Sequence, residues 1–87
     1  MKTPRRGEVW LVDLGLAAKI HPCLVLSIPA GEADRSLVTV VPHTTSLRGS
    51  RFEIVVSAKY LRPGGFDVQR IVTIPTVRLI RLTWPLR

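Results

Sequence analysis

Between residues 42 and 53 the chain reads Pro-His-Thr-Thr-Ser-Leu-Arg-Gly-Ser-Arg-Phe-Glu, a stretch crowded with hydroxyls and arginines. Thr44, Thr45 and Ser46 are hydrogen-bond donors, and Arg48 and Arg51 carry a planar cation that fits phosphate. Apolar runs at Leu37–Val41 and Phe52–Val56 bracket the stretch, so it is expected to be a loop between two strands. Polar donors and fixed positive charge in such a loop are what a phosphate or an RNA strand requires. Lys19 and His21, just before another apolar run, add a second cation and an imidazole.

Few other groups could do chemistry. The six carboxylates, Glu8, Asp13, Glu32, Asp34, Glu53 and Asp67, are scattered, and none forms a close metal-binding motif. His21, Cys23 and His43 are ligand types, but the expectation is no metal and no cofactor. No glycine-rich phosphate loop opens a helix, and no nucleophile elbow is present. What remains is metal-free chemistry on a phosphodiester. RNA permits it because its own 2′-hydroxyl can attack the neighbouring phosphorus, so the protein need only move protons and neutralise developing charge. Residue types alone leave a plainer reading open, since Thr-Thr-Ser clusters commonly bond their own backbone in turns. His43 reads as structural or as a surface on which a base stacks.

These residues must be positioned by short strands, because Val, Ile, Leu, Thr and Trp gather in short runs bounded by Gly, Pro, Ser and charge. Strands are expected at Glu8–Leu14, Pro22–Ile28, Leu37–Val41, Phe52–Val56 and Val68–Ile74. In the first, Trp10, Val12 and Leu14 share one face and Val9, Leu11 and Asp13 the other; both are mostly apolar, as in a closed barrel. Residues 57–67, with Arg62-Pro63-Gly64-Gly65, read as a connector, and Pro75–Arg87 as an unfinished edge with an exposed Trp84. The expected fold is mainly β, a small antiparallel barrel or half-open roll.

Eighty-seven residues make one small domain, expected to span 1–87. A net charge of +7, spread along the chain rather than run together, favours a polyanionic partner and salt-sensitive binding. The single cysteine, Cys23, sits in an apolar run and reads as a buried thiol in a reducing cytosol. No apolar stretch approaches the ~20 residues of a membrane span, and the start lacks a signal-peptide core. The expectation is a cytoplasmic protein that does not engage membrane.

Four blocks in order, Arg5–Leu14 (RRGEVWLVDL), His21–Ser27 (HPCLVLS), Val40–Val56 (VVPHTTSLRGSRFEIVV) and Asp67–Leu79 (DVQRIVTIPTVRL), resemble the MazF/PemK family of toxin endoribonucleases over nearly the whole chain. The resemblance implies an SH3-like barrel of the CcdB/MazF/PemK type, a homodimer, and metal-independent cleavage of single-stranded RNA or mRNA to a 2′,3′-cyclic phosphate and a 5′-hydroxyl. It also implies a cognate antitoxin with an acidic segment that lies across the RNA groove. Carried onto this chain, the catalytic hydroxyl falls on Thr44. The catalytic arginine position falls on His21. Thr45, Ser46, Arg48, Arg51 and Lys19 would touch RNA, and Gln69 and Arg70 match a polar stretch near the groove.

Two departures bear on activity. An imidazole, with a reference pKa near ~6.5, is largely neutral at pH 7 and offers no bidentate fork, whereas arginine is a permanent cation. It is the better proton-transfer group at neutral pH. The C-terminal helix usual in the family is also expected to be missing. Alternatives are therefore an impaired homologue that only binds RNA or antitoxin, and a CcdB-like poison of DNA gyrase.

Overall fold

Leu37–Thr44 forms the strand around which the others are arranged. In the computed structural model, which describes residues 2–15 and 19–85, seven strands are present: β1 (Val9–Asp13), β2 (Ile20–Val25), β3 (Leu37–Thr44), β4 (Glu53–Val56), β5 (Gly64–Asp67), β6 (Val72–Pro75) and β7 (Leu79–Trp84). Two 3-10 turns, Val68–Arg70 and Thr76–Arg78, flank β6. The order is β4-β5-β3-β2-β1-β7, with β6 also on β3, and all pairings are antiparallel. The fold is thus the expected mainly β, antiparallel one. No helix among the described residues is long and apolar enough to cross a membrane.

One edge of β3 pairs with β2 through Val40, Val41 and Pro42. Its other edge serves two strands in succession, β6 along Leu37–Val40 and β5 at His43 and Thr44. The sheet therefore bends around β3, and Thr44 stands at the bend. Because β3 is covered on both faces, its sequence is nearly continuous in apolar residues. Val38 and Val40 join Trp10, Val12, Cys23, Val25 and Leu79 in one cluster. Val41 packs on the opposite side with Val9 and Phe66. Trp10, Val12 and Leu14 share the first cluster, the face the β1 alternation assigned them. Glu8, only 3% exposed, accepts hydrogen bonds from Arg5 N at 2.7 Å and Trp10 Nε1 at 3.0 Å. The carboxyl group is thereby fixed under the N-terminal segment.

Several expected elements differ. The Gly64-Gly65 pair lies in β5, not in a turn. A Cβ on Gly65 would stand 2.7 Å from Ile54 O, and one on Gly64 would overlap Thr44 O. The glycines are there for close approach between strands rather than for reversal. Val68–Ile74 is not one strand. The Asp67 carboxylate accepts from Gln69 N at 3.1 Å and nucleates a 3-10 turn before β6. The segment read as an unfinished edge contains β7, which pairs with β1; Pro75 and Pro85 bracket this strand instead of interrupting it. Trp84 stacks on Tyr60 of the β4–β5 connection, with centroids 5.7 Å apart and planes at 15°. Finally, β2 begins at Ile20, so His21 lies within the strand.

Candidate functional site

The loop after β3 is shaped by short side-chain to backbone bonds. Thr44 Oγ1 accepts from Ser46 N at 3.0 Å. This is the turn chemistry expected of such a cluster, and it fixes the oxygen while leaving the hydroxyl hydrogen available to donate. Further on, the Glu53 carboxylate accepts from Arg48 N at 3.0 and 3.1 Å and from Ser50 N at 3.0 Å. One carboxylate at the start of β4 thus holds the turn that carries Arg48.

On the far side, Asp67 holds the 3-10 turn that carries Gln69 and Arg70. Between the two turns lies an open cleft of about 330 Å³, lined by Thr44, Ser46, Arg48 and Ser50 on one wall and by Asp67, Gln69 and Arg70 on the other, with Glu53 beside them. Among the described residues neither Arg48 nor Arg70 is in an ion pair; the pair present is Arg78–Asp13 at 4.0 Å. Both residues are exposed and line the cleft with hydrogen-bond donors between them.

Five of the expected site residues, Thr44, Ser46, Arg48, Gln69 and Arg70, therefore meet in one cleft. Others of the loop do not join them: Thr45 and Leu47 line a second groove with Val55, Leu61 and Gly64. The Arg51 guanidinium lies over the Phe52 ring at 5.3 Å, outside the cleft lining. Lys19 and His21 are outside it as well.

His21 nevertheless stays close to the end of β3. The β2–β3 register, Cys23 opposite Pro42, would set His21 across from Thr44 if carried on by two residues. His21 Nδ1 lies 3.0 Å from His43 O. His43 itself is 3% exposed and meets the Phe66 ring edge-on at 5.4 Å, so it offers no surface on which a base could stack. Burial first, and the neighbouring His21 second, hold His43 below the ordinary histidine range. Its Nε2 has no hydrogen-bond partner among the described residues. Cys23 is fully buried, and burial pushes its thiol up to about 12. Among the described residues no three of His, Cys, Asp and Glu gather where they could hold a metal ion.

Residues 5–83 match the family model described as PemK-like, MazF-like toxin of type II toxin–antitoxin system. The chain belongs to this PemK/MazF-like toxin family. No curated protein matches it significantly. Among solved structures it is similar to an endoribonuclease in complex with its cognate antitoxin from a Mycobacterial species, with TM-score 0.73, 23% identity, and coverage of 100% of this chain and 80% of that one. A second endoribonuclease from a Mycobacterial species gives TM-score 0.73 at 24% identity, covering 95% and 75%. The MazE–MazF crystal structure from Deinococcus radiodurans gives 0.68 at 22%, covering 85% and 69%. At these identities the likeness is one of fold.

Within this PemK/MazF-like chain, reasoning from residue types missed Ser50, Glu53 and Asp67 as parts of the cleft. A signal was present in each case: Glu53 follows Ser50 by three residues, the spacing of a carboxylate that reaches back to a turn amide, and Asp67 precedes Gln69 by two, the spacing of an Asx turn.

Proposed function

We propose that this PemK/MazF-like chain is a metal-independent endoribonuclease acting on single-stranded RNA. The observation that carries the reading is the cleft in which the Thr44 hydroxyl, fixed by Ser46 N, shares walls with Arg48, Gln69 and Arg70. A strand laid along it would place one phosphate near Thr44 and adjacent phosphates at the two guanidinium groups. In the reaction the 2′-oxygen gives its proton to solvent and attacks phosphorus, the bond to the 5′-oxygen breaks with that oxygen taking a proton from water, and a 2′,3′-cyclic phosphate forms. Thr44 donates to a non-bridging oxygen, where charge builds up. Arg48 and Arg70 neutralise that charge and hold the flanking phosphates, and His21, whose ring meets the His43 carbonyl, takes the family's cation position in this reading.

The two exposed arginines of the same cleft would pair with the acidic segment of a cognate antitoxin, and the working unit in this reading is a cytoplasmic homodimer. The net charge of +7 supports both polyanionic partners.

A second reading is favoured by one observation, the histidine in place of a permanent cation. It makes the chain a module that binds RNA or antitoxin without turnover. The test is incubation of the protein with a long single-stranded RNA in EDTA, beside Thr44→Ala and His21→Arg. Cyclic-phosphate products from the parent, lost in Thr44→Ala, support the nuclease. Salt-sensitive binding without cleavage by the parent supports the second reading, and cleavage regained in His21→Arg would locate the defect at that one position.

A further inference from the structure

Tyr60 and Trp84 lie face to face, with ring centroids 5.7 Å apart and planes at 15°. One face of each ring is given to the other, yet 38% of Tyr60 and 43% of Trp84 stay exposed, so the open surface lies on outer faces and edges. Tyr60 sits in a turn closed by Leu61 N, which donates to Ala58 O at 3.1 Å, with Lys59 before it and Arg62 shortly after. Both cations are exposed, and among the described residues neither is in an ion pair. No carboxylate occurs between residues 54 and 66, and Glu53 is engaged by the amides of Arg48 and Ser50. A flat, open aromatic surface with cations beside it and no acid is suited to a base of a single strand.

A groove joins this platform to the cleft. Segment 44–48 is a wall common to both: Thr44, Ser46 and Arg48 line the cleft, while Thr45 and Leu47 line the groove. The groove, about 490 Å³, is also lined by Val55 and Ser57 and by Ala58 and Leu61, the two ends of the Tyr60 turn.

We propose, resting on the reading of single-stranded RNA as substrate, that RNA leaving the cleft crosses segment 44–48 into this groove and stacks a base on the outer face of the Tyr60–Trp84 pair. Bases pack on Leu47, Val55 and Leu61 along the way, and the hydroxyls of Thr45 and Ser57 donate to sugar or phosphate oxygens. Thr45, absent from the cleft, thus has a place on the RNA path. Lys59 and Arg62 hold phosphates on either side of the stacked base. Every base has a π face, so the platform adds affinity for longer strands without choosing a sequence. A second copy of the chain suits this surface poorly, since it would bring the same cations to it. An acidic peptide answers the charge but gives the rings no flat partner.

Binding is measured with oligonucleotides methylated at every 2′-oxygen, which cannot be cut, of about 4 and about 16 nucleotides. Tryptophan emission reports on the platform, because Trp10 is in the core and Trp84 is exposed. The long oligonucleotide is expected to quench the emission and the short one, held in the cleft, to leave it nearly unchanged; the quenching disappears in Trp84→Phe. Tyr60→Ala should bind the long oligonucleotide roughly tenfold more weakly and the short one as the parent does, while Tyr60→Phe, which keeps a ring, retains the parental affinity for both. Polyglutamate, which carries charge without bases, should leave the emission unchanged. Absence of quenching by the long oligonucleotide, an equal loss for both lengths in Tyr60→Ala, or quenching by polyglutamate overturns the proposal. So does quenching that follows protein concentration alone, which would seat a second copy on the rings. In each of these cases, cleavage of unmodified RNA by the parent leaves the nuclease reading intact. A parent that shows the expected binding pattern and never cuts RNA loses the nuclease reading while the platform stands, and one that binds neither oligonucleotide overturns the platform.

Discussion

Gly64 on β5 passes so close to Thr44 on β3 that a Cβ on it would overlap the Thr44 carbonyl oxygen and stand 3.0 Å from His43 Cε1. The main chain that carries the hydroxyl expected to touch RNA and the buried imidazole beside it are both seated against a residue with no side chain. Gly64→Ala must therefore push β5 away from the end of β3. Overpacking of this kind costs typically ~1–3 kcal/mol. The expected outcome is a lower denaturation midpoint together with a loss of RNA cleavage larger than the loss of RNA binding. A Gly64→Ala protein with parental stability and turnover would show that the strands separate freely there.

Glu53 ties Arg48 N and Ser50 N to the start of β4 through three hydrogen bonds. Glu53→Ala releases that turn, and bonds to a charged acceptor are worth about 1.5–3 kcal/mol each at most, less at a partly exposed site. The expected effect on unfolding is about 1–2 kcal/mol. RNA affinity should weaken although a negative charge has been removed from the cleft. Tighter binding by Glu53→Ala would mean that simple charge outweighs the placing of Arg48.

Stability should fall on acidification because of His43. Its folded-state affinity for a proton is lowered by burial and by His21, so the unfolded chain binds the proton more readily than the native one. The contribution is fully present above the ordinary histidine value of ~6.5 and is lost progressively as pH falls below it. Denaturation midpoints should drop between about pH 7.5 and about pH 5. In His43→Leu, which keeps the packing against Phe66 and cannot titrate, that drop should shrink. An equal drop in both proteins would assign the acid sensitivity elsewhere.

Arg48 and Arg70 are the two cations that line the cleft, and each should release counterions when RNA binds. Removing either by substitution with Ala should make the slope of log K against log salt shallower by ~0.7, the single-strand value per phosphate contact. The double substitution should shift it by about twice that. Titrations at several salt concentrations check this, and an unchanged slope in both single variants would move the RNA path out of the cleft.

The Cys23 thiol is 0% exposed and held up to about 12. It should react with a disulfide reagent only as fast as the protein opens, so native protein should stay unlabelled for much longer than denatured protein. Prompt labelling at native conditions would contradict the burial of β2.

How far the sequence could be read depended on where the information lay. β1 was legible because alternation over adjacent residues decides which face is covered, and Trp10, Val12 and Leu14 fell on the expected one; β3 was legible in part, from its apolar run Leu37–Val41, while Pro42, His43 and Thr44, expected in the loop, prolong it. β5 was not, because Gly64-Gly65 has the composition of a turn; only the neighbours, Thr44 and Ile54, make it a strand. β7 was obscured by its flanking prolines and by apolar residues that become meaningful only against β1. The cleft shows the same division. Thr44, Ser46 and Arg48 could be picked out as donors and a cation in one loop. Glu53 and Asp67 act by holding backbone amides, and which wall of the cleft each one shapes depends on tertiary approach.

The end strands β4 and β7 are brought together by rings. Tyr60, in the connection that leaves β4, lies flat on Trp84 at the end of β7. Parting the paired strands means breaking a ladder of backbone hydrogen bonds, whereas between the connection after β4 and the end of β7 the described contact is this aromatic stack, worth ~0.5–1.5 kcal/mol. The shell accordingly has a preferred place to breathe. Amides bordering the clasp should exchange with solvent ahead of those on β3, and the polar cleft at the bend of β3 can stay formed while the far margin opens and closes.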